Sequence, residues 1–435
     1  MKYCVYCGKQ LNDTDIFCSG CGRKSNSAPR TDAASAPQVE IKQEDKQVHE
    51  SFVKEPPKPV VCDDGFVDEP AYLPFMYDPE AAGLKWYERL ILSISRMTGG
   101  AKVIRPPLKT IFSQILCRHK KTESDEIFIC GTENTTPELS DDDNAWPHPW
   151  LWTRILLAFI AAFVLLHICC NAFENLNAYP GLMVIGSFMI PVAIMVFFFE
   201  LNTPKNISFF TTMKYFLVGG CASLLVTLLL FEIFSFDVNE NLFAIIIGII
   251  EELGKLAIVA IIIWTNKNAK YALNGLLIGA AIGAGFAAFE SAGYAFNVFM
   301  GSFMYSGNIS FSYDEMIDNI LLRAVLAPGG HVIWAAMSGY AVMIVKNGKN
   351  TMNFFSKKAF WKIFWMPIAL HAIWDMPIKI GDGLVGSLVH IVCVIIIGWI
   401  VMFVMIGNAL SEIGSILEKR KAESIKTDKV EVLAE

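Results

Sequence analysis

Charged residues are scarce in this sequence. Only 18% of its 435 residues are Asp, Glu, Lys or Arg, whereas 54% are hydrophobic. So small a charged fraction excludes an ordinary soluble globular protein and indicates a membrane protein. The formal net charge is −6, and the basic residues do not cluster. The sequence therefore lacks the positive patch with which proteins bind nucleic acid, and we expect no nucleic-acid partner.

The scarcity is uneven along the chain. Residues 1–148 hold many of the charges, and residues 149–412 are a succession of apolar runs. The first ten residues, MKYCVYCGKQ, also lack the apolar core of a signal peptide. We therefore expect no cleavable signal peptide, and we expect the cysteines of this region to stay in a reducing compartment.

Eleven cysteines are present, and four of them form two C-x-x-C pairs, CVYC and CSGC, separated by ten residues. A glycine follows each pair and suits the tight turn from which two thiolates bind one metal ion. Two such pairs supply the closed tetrahedral site of a structural zinc ion. Two disulfides are the alternative, which a reducing compartment disfavours. The spacing predicts a zinc ribbon over residues 1–24 with the ligands Cys4, Cys7, Cys18 and Cys21.

Two regions separate this ribbon from the apolar part of the chain. Residues 25–61 are rich in Ser, Ala, Pro, Lys, Glu and Gln, a composition that predicts a disordered linker. Residues 62–148 are mixed, and residues 83–97 and 107–116 have the apolar spacing of amphipathic helices. They predict a small cytosolic helical region next to the membrane. Helices that lie on the membrane surface are the alternative.

Residues 149–412 predict an all-α polytopic membrane domain. A membrane-spanning helix needs about 20 predominantly apolar residues, and eight stretches have roughly that length. These stretches are residues 150–172, 180–200, 208–233, 241–265, 271–299, 322–346, 359–380 and 384–411. A charged tail, residues 413–435, follows them.

Lysines predict how these stretches are oriented. The loops after the first, third and fifth stretches carry no Lys or Arg. The loops after the second, fourth and sixth stretches contain Lys205, Lys267, Lys270, Lys346, Lys349, Lys357 and Lys358. Basic loops stay in the cytoplasm, so an even number of spans places both termini there. We predict an integral protein of a bacterial cell membrane.

Ionisable residues inside the apolar stretches are the main functional signal. A charged side chain at the centre of a bilayer costs roughly 3 kcal/mol or more, so such residues usually serve a function. The fourth stretch contains the adjacent Glu251 and Glu252, with Lys255 one helical turn further on. The later stretches add Glu290, His331, His371, Asp375 and His390.

Four of these groups share one predicted depth. Counted from the outer ends of their stretches, Glu251, Glu290, His331 and His371 lie roughly 14 Å below the surface, at 1.5 Å per residue. Lys255 is four residues after Glu251, and the two side chains can pair. Asp375 is four residues after His371, and its carboxylate can orient the imidazole.

Hydrolysis within the membrane is the chemistry that these residue types predict. Two imidazoles and a carboxylate suit a catalytic zinc ion with one open position for water. A further carboxylate can take the proton of that water. Three alternatives stand beside this prediction. They are hydrogen bonds between helices, a buried Glu–Lys pair that fixes helix register, and proton or ion transport.

The ordered motifs resemble those of a known family. EELGK (251–255), FAAFE (286–290), His331 and HAIWD (371–375) look like the E-E-x-x-K, F-x-x-x-E and later histidine motifs of the PrsW family. Its members are polytopic intramembrane proteases of the superfamily that includes CAAX prenyl endopeptidases and bacteriocin-processing enzymes. The resemblance extends over roughly residues 150–410 and is tightest in the fourth to seventh stretches.

The resemblance implies hydrolysis of peptide bonds in a membrane-associated protein, such as an anti-sigma factor. It implies that Glu251 or Glu252 activates the water, and of the two we favour Glu251. It further implies catalytic or metal-binding roles for Glu290, His331 and His371, with Asp375 supporting His371. The related prenyl proteases have histidine where this chain has Glu290. A second zinc ion in the membrane and a mechanism that uses the glutamates alone are therefore both open.

Two other functions compete with proteolysis. A membrane scaffold or sensor could bind a cytosolic partner through the zinc ribbon while the membrane site is idle. A transporter is disfavoured because the polar residues form one layer instead of a path across the membrane, and no inverted repeat is evident. The expected partners are the lipid bilayer, a single-span or membrane-associated substrate protein, and a cytosolic protein at the ribbon.

Overall fold

The structure, a computed structural model, describes residues 2–3, 10–11, 76–77, 84–234, 238–346, 353–379, 381 and 383–432. The chain divides into two compact units, Met1–Lys58 and Pro59–Glu435. In the first unit, strand β1 (Lys2–Tyr3) pairs antiparallel with strand β2 (Gln10–Leu11). The four cysteines of the predicted ribbon and the predicted linker lie outside the described residues.

Short elements precede the long helices of the second unit. In chain order they are β3 (Met76–Tyr77), α1 (Trp86–Met97), β4 (Val103–Ile104), α2 (Leu108–Ile111) and α3 (Lys121–Ile129). Strand β3 pairs antiparallel with β4. Helix α1 confirms the helix predicted at residues 83–97. The stretch at 107–116 is not one helix, because α2 ends after one turn and a 3-10 turn, Ser113–Leu116, follows.

Helices form the rest of the unit. They are α4 (Leu151–Asn171), α5 (Tyr179–Leu201), α6 (Phe209–Lys214), α7 (Gly220–Ile233), α8 (Glu240–Thr265), α9 (Ala272–Ser306), α10 (Ile309–Leu326), α11 (His331–Lys346), α12 (Lys358–Asp375) and α13 (Gly383–Val432). A π-helical segment, Tyr215–Gly219, joins α6 to α7. Among the described residues, six stretches are long and apolar enough to cross a membrane. The predicted fold class, an all-α polytopic membrane protein, is confirmed.

The predicted count of eight spans is not confirmed by length and apolarity alone. Helices α8 and α12 are missing from the six stretches. Helix α8 has 26 residues, which is enough for a crossing, but Glu251, Glu252 and Lys255 lie near its middle. Helix α12 has 18 residues and ends at Asp375. The two helices that fall short are the ones that carry most of the predicted site residues.

The prediction of a single helix over residues 322–346 with a loop before it is wrong. Helix α10 occupies most of the predicted loop, since its buried residues recur at helical spacing. A 3-10 turn, Ala327–Gly329, then separates α10 from α11. Pro328 has no amide hydrogen to donate, and two glycines follow it, so the helix breaks there. His331 consequently begins a helix, and counting its depth along a continuous span does not apply.

Helix α9 is the most enclosed of the described membrane helices, and residues 272–288 are buried without exception. Its backbone approaches that of α11 closely. A Cβ atom added to Gly279 would collide with the carbonyl oxygen of Ala335, and one added to Gly283 would collide with that of His331. Small residues allow helices to pack at this distance. The close packing sets His331 beside the helix that carries Glu290.

Polar contacts hold α1 against the membrane helices. Asn408 in α13 donates hydrogen bonds to the carbonyl oxygen of Ser95 at 3.2 Å and to Oγ1 of Thr98 at 2.7 Å. The hydroxyl of Tyr340 in α11 donates to the carbonyl oxygen of Thr98 at 2.8 Å. These groups are buried, so their hydrogen bonds avoid the cost of unsatisfied polar atoms. Helix α1 is therefore packed onto the same unit as the membrane helices.

Candidate active site

Three ionisable side chains of α8 meet near its middle. Glu251 and Glu252 are adjacent, and Lys255 is one helical turn further on. Lys255 Nζ donates to Glu252 Oε1 at 2.6 Å and lies 3.5 Å from Glu251 Oε2. The side chains of Glu252 and Lys255 have no exposed surface. An ammonium between two carboxylates offsets part of the cost of removing each charge from water. The pairing with Glu251 that the sequence predicts is present, but Glu252 is the closer partner.

Helix α12 places His371 against both glutamates. Nδ1 of His371 lies 2.9 Å from Glu252 Oε1, and Nε2 lies 3.7 Å from Glu251 Oε2. Nε2 is also 3.3 Å from Oδ2 of Asp375, one turn further along α12. The imidazole stacks on the ring of Trp334, with 4.4 Å between the ring centroids. These contacts fix the orientation of the His371 ring.

His331, the first residue of α11, bridges α8 and α9. A lysine ammonium can only donate, so Nδ1 of His331 accepts from Lys255 Nζ at 2.9 Å. Nε2 then carries the proton and donates to Glu290 Oε2 at 3.0 Å. Nδ1 also lies 3.8 Å from Glu251 Oε2. The ring nitrogen that lacks a proton therefore faces the carboxylates of α8.

Glu290 has a second partner that no motif predicts. Arg323 in α10 donates through Nη2 to Glu290 Oε2 at 2.7 Å and through Nε to Oγ of Ser291 at 2.9 Å. Its guanidinium also lies over the ring of Tyr294, 4.2 Å from the centroid. The sequence contained a signal for this contact. An arginine within a predicted span needs a polar partner, and Arg323 is the second residue of the stretch at 322–346.

Glu251, His331 and His371 form a group that could hold a metal ion. One ligand-type atom of each residue lies within 4.8 Å of the other two. Two imidazole nitrogens and a carboxylate oxygen form a ligand set of catalytic zinc, which keeps a fourth position open. The other nitrogen of each ring faces a carboxylate, Glu252 for His371 and Glu290 for His331. Such partners commonly orient metal-binding histidines.

Unsatisfied polar atoms test whether a cation fits this group. Within the part of the chain that the structure describes, Oε2 of Glu251 is buried without a hydrogen-bond partner. An ionised carboxylate only accepts, so Nδ1 of His371 donates to Glu252, and Nε2 presents a lone pair toward Glu251 and Asp375. These lone pairs repel one another unless a proton or a cation lies between them. The residues therefore fit a metal ion.

The structure brings the six predicted site residues into one network. Both predicted ligand histidines, His331 and His371, belong to the group of three. Glu290 faces the opposite nitrogen of His331, so its role as a ligand stays a prediction, and Glu251 takes its place in the group. His390 in α13 is outside the network, and neither of its ring nitrogens has a hydrogen-bond partner among the described residues.

One side of the network is open. The exposed fraction of the side chain is 0% for Glu252 and 2% for His371, but 18% for Glu290 and 28% for Asp375. Arg323 and Tyr294, which flank Glu290, are also partly exposed. Water or a polypeptide could therefore approach on the side of Glu290 and Asp375, and α8 closes the other side.

Two family models match the chain. The model of the PrsW family intramembrane metalloprotease matches residues 208–406, and that of a zinc-ribbon domain matches residues 3–25. The first match includes all six predicted site residues and begins after α5, and the second includes the four predicted zinc ligands. No curated protein and no solved structure matches the chain. Residues 208–406 are therefore similar to the PrsW family of intramembrane metalloproteases, and residues 3–25 match a zinc-ribbon domain.

Proposed function

We propose that this membrane protein hydrolyses peptide bonds of membrane-associated proteins at the site between α8, α9, α11 and α12. The observation that supports this most directly is the group of Glu251, His331 and His371, whose ligand-type atoms converge within the helices of a membrane protein. The match to a family of intramembrane metalloproteases supports the same reaction.

In this proposal Glu251, His331 and His371 hold a zinc ion. A bound zinc ion makes a water molecule more acidic and polarises a carbonyl group. Glu252 accepts a hydrogen bond from Nδ1 of His371, and Glu290 accepts one from Nε2 of His331. Each ring therefore keeps an unprotonated nitrogen toward Glu251. Metal binding at Nδ1 of His331 would replace the hydrogen bond from the lysine of α8, which keeps its closer bond to Glu252.

We assign proton transfer to Asp375. Its carboxylate is the most exposed in the network and lies 3.3 Å from Nε2 of His371, beside the position that a metal ion would take. A general base must lie within hydrogen-bond reach of the water that it deprotonates. Glu251, which the sequence favours as the base, serves in this proposal as a ligand. Glu252 has no exposed surface and serves to orient His371.

The substrate that we propose is a single-span or membrane-associated protein. The family resemblance suggests a membrane-bound regulator of the anti-sigma type. We further propose that the protein lies in a bacterial cell membrane with both termini in the cytoplasm. The thiolates of the zinc ribbon would stay reduced there, and the ribbon would be available to bind a cytosolic protein.

Zinc content and cleavage, measured on the same purified protein, test the proposal. The background is the full chain with Cys4, Cys7, Cys18 and Cys21 replaced by serine, so that zinc in the ribbon does not contribute. The protein is studied in detergent with a candidate single-span substrate, and zinc per chain is measured by mass spectrometry. On this background we compare Glu251→Ala, Asp375→Asn and the control Glu315→Gln, a change of an exposed acid on α10.

The two site variants are expected to fail in different ways. Glu251→Ala should lose both zinc and cleavage, because it removes a ligand. Asp375→Asn should keep its zinc and lose about 10²- to 10⁴-fold in rate, the usual contribution of a general base. Glu315→Gln should change neither quantity. Cleavage that persists in Glu251→Ala contradicts the assigned site. Zinc that binds without cleavage of any membrane substrate contradicts the peptidase and favours a scaffold or a transporter.

A further inference from the structure

A groove of about 610 Å³ lies between α8 and the helix formed by α6, the π-helical segment and α7. Its walls are apolar and include Val218, Ala222, Ile258 and Ile261. Val218 is 65% exposed and Ile261 is 46% exposed, so the groove is open along its length. Small-molecule sites in proteins typically have volumes of roughly 300–1,000 Å³. The groove is large enough for part of a lipid.

One end of the groove is polar and positively charged. Lys214, near the start of the helix that contains α7, and Lys267, just after α8, both line it, and both are exposed. Asn266 and Asn268 line the same end. The two helices run antiparallel, so these residues lie at one membrane surface. Lysines at the end of a membrane helix extend their ammonium groups to the headgroup layer.

The π-helical segment shapes the groove. Tyr215 and Gly219, its first and last residues, both line the cavity. A π-helical turn inserts an extra residue into a helix and often marks a functional position. The hydroxyl of Tyr215 accepts a hydrogen bond from Nδ2 of Asn266 at 2.9 Å, which joins the two helices across the polar end. Below this bridge, Gly219 and Ala222 contribute little side-chain volume, so the space stays open.

We propose that this groove binds an anionic phospholipid, with an acyl chain along the apolar walls and the phosphate between Lys214 and Lys267. The charge of the polar end selects for an anionic headgroup, and basic pockets between membrane helices bind such lipids elsewhere. A free phosphate ion would leave the apolar walls without a partner. A zwitterionic lipid would gain less from the two lysines, because the cation of its headgroup is repelled by them. One molecule, an anionic phospholipid, therefore fits both the apolar walls and the positively charged end of the groove.

Lipid binding to the delipidated full chain in detergent tests the proposal. The probes are fluorescent phosphatidylglycerol and fluorescent phosphatidylcholine with the same acyl chains. Glycerophosphoglycerol, which has the headgroup without acyl chains, is added as a competitor. The variants are Lys214→Gln with Lys267→Gln, and Ala222→Phe, which fills the groove. The control is Lys270→Gln, since Lys270 is exposed in the same loop but does not line the groove.

The wild type is expected to bind phosphatidylglycerol more tightly than phosphatidylcholine. The double lysine variant should lose about 25-fold in affinity for the anionic lipid, because each lysine near an anionic headgroup contributes a factor of about five. Ala222→Phe should weaken the binding of both lipids, and Lys270→Gln should have less than a twofold effect. Three results overturn the proposal: equal affinity for both lipids, an equal loss in the control, or full competition by the headgroup alone.

Discussion

The ammonium of Lys255 contacts four groups at the centre of the network. It donates to Glu252 and to Nδ1 of His331, it lies 3.5 Å from Glu251, and it is 4.4 Å from the centroid of the Phe286 ring. The side chain has no exposed surface, so water cannot replace any of these partners. Removal of one member of a buried pair costs far more than the net contribution of the pair, because the remaining charge stays buried without compensation.

The first prediction concerns stability and follows from this pairing. Lys255→Met leaves the carboxylate of Glu252 buried without its cation, and it should lower the free energy of unfolding by roughly 3–5 kcal/mol. Adding Glu252→Gln removes the unpaired charge and should recover most of the loss. The free energy of unfolding of the single and the double variant is measured by denaturant or thermal unfolding in detergent. Lys362→Met, a change of an exposed lysine on α12, is the control. The prediction is contradicted if Lys255→Met alone is as stable as the wild type.

Motif residues and their contacts within one helix could be predicted from the sequence, and the contacts between helices could not. Glutamates, histidines and aspartate within apolar stretches are visible because each is costly in a membrane. Which of two adjacent glutamates faces Lys255 depends on side-chain directions and on the position of α12, and spacing fixes neither. The partner of Arg323 could not be predicted for a related reason. Its partner Glu290 is 33 residues away, and the contact depends on the turn that returns α10 along α9.

At the scale of the elements, the contact between α9 and α11 sets the geometry of the site. Gly275, Gly279 and Gly283 recur at four-residue spacing in α9, a pattern that predicts a close helix contact, and all three pack against the backbone of α11. The sequence could not identify the partner helix. It also could not show that the contact ends at His331, because the break after α10 depends on Pro328 and its neighbouring glycines rather than on apolar periodicity. The position of His331 thus depends on backbone packing one turn away.

The second prediction tests that dependence. Gly279→Val places a branched side chain against the carbonyl oxygen of Ala335, so α9 and α11 must separate. We expect a lower unfolding temperature, and weaker zinc binding on the background without ribbon cysteines, since the hydrogen bond between His331 and Glu290 crosses the same interface. Gly293→Val is the matched control. It lies in the same helix, and a Cβ atom there would meet nothing within 4 Å.

These two variants separate packing from helix propensity. Valine has a higher helix propensity than glycine, by a similar amount at both positions, so propensity alone cannot explain a loss in Gly279→Val or in Gly293→Val. A loss confined to Gly279→Val would show that the contact between α9 and α11 positions the site. Unchanged zinc binding in Gly279→Val would contradict the prediction, whatever its effect on the unfolding temperature.

For the molecule as a whole, the number of crossings decides whether the two termini lie on the same side of the membrane. Helices α10 and α11 together run antiparallel to α9, since Gly339 packs against Gly275 and Arg323 bonds to Glu290. Helix α9 has 35 residues, and the stretch from α10 to α11 has 38. Both lengths exceed the thickness of the hydrocarbon core, about 30 Å, at 1.5 Å per residue. Helices α10 and α11 therefore count together as one crossing. If α8 and α12 also cross the membrane, the total number of crossings is an even number.

Two features point to different sides for the termini. The lysines of alternate loops favour a cytoplasmic location. Cys117, which precedes α4, is in a disulfide, and a disulfide is favoured in an oxidising compartment. Residues 84–150 are on the N-terminal side of the first membrane helix, so both features concern the same side of the membrane.

The third prediction is that both termini are cytoplasmic and that the turn between α9 and α10 is external. Green fluorescent protein fused after Glu435 should fluoresce, and alkaline phosphatase at the same position should be inactive, because the phosphatase needs the oxidising exterior for its disulfides. Alkaline phosphatase inserted at Gly307, which is exposed and follows α9 directly, should be active. The reverse pattern at both positions would invert the topology and place the zinc ribbon outside. Equal phosphatase activity at the two positions would place both on the same side of the membrane, so an even number of helices would cross between Gly307 and Glu435, and the eight-crossing arrangement, which has three crossings there, would then be wrong.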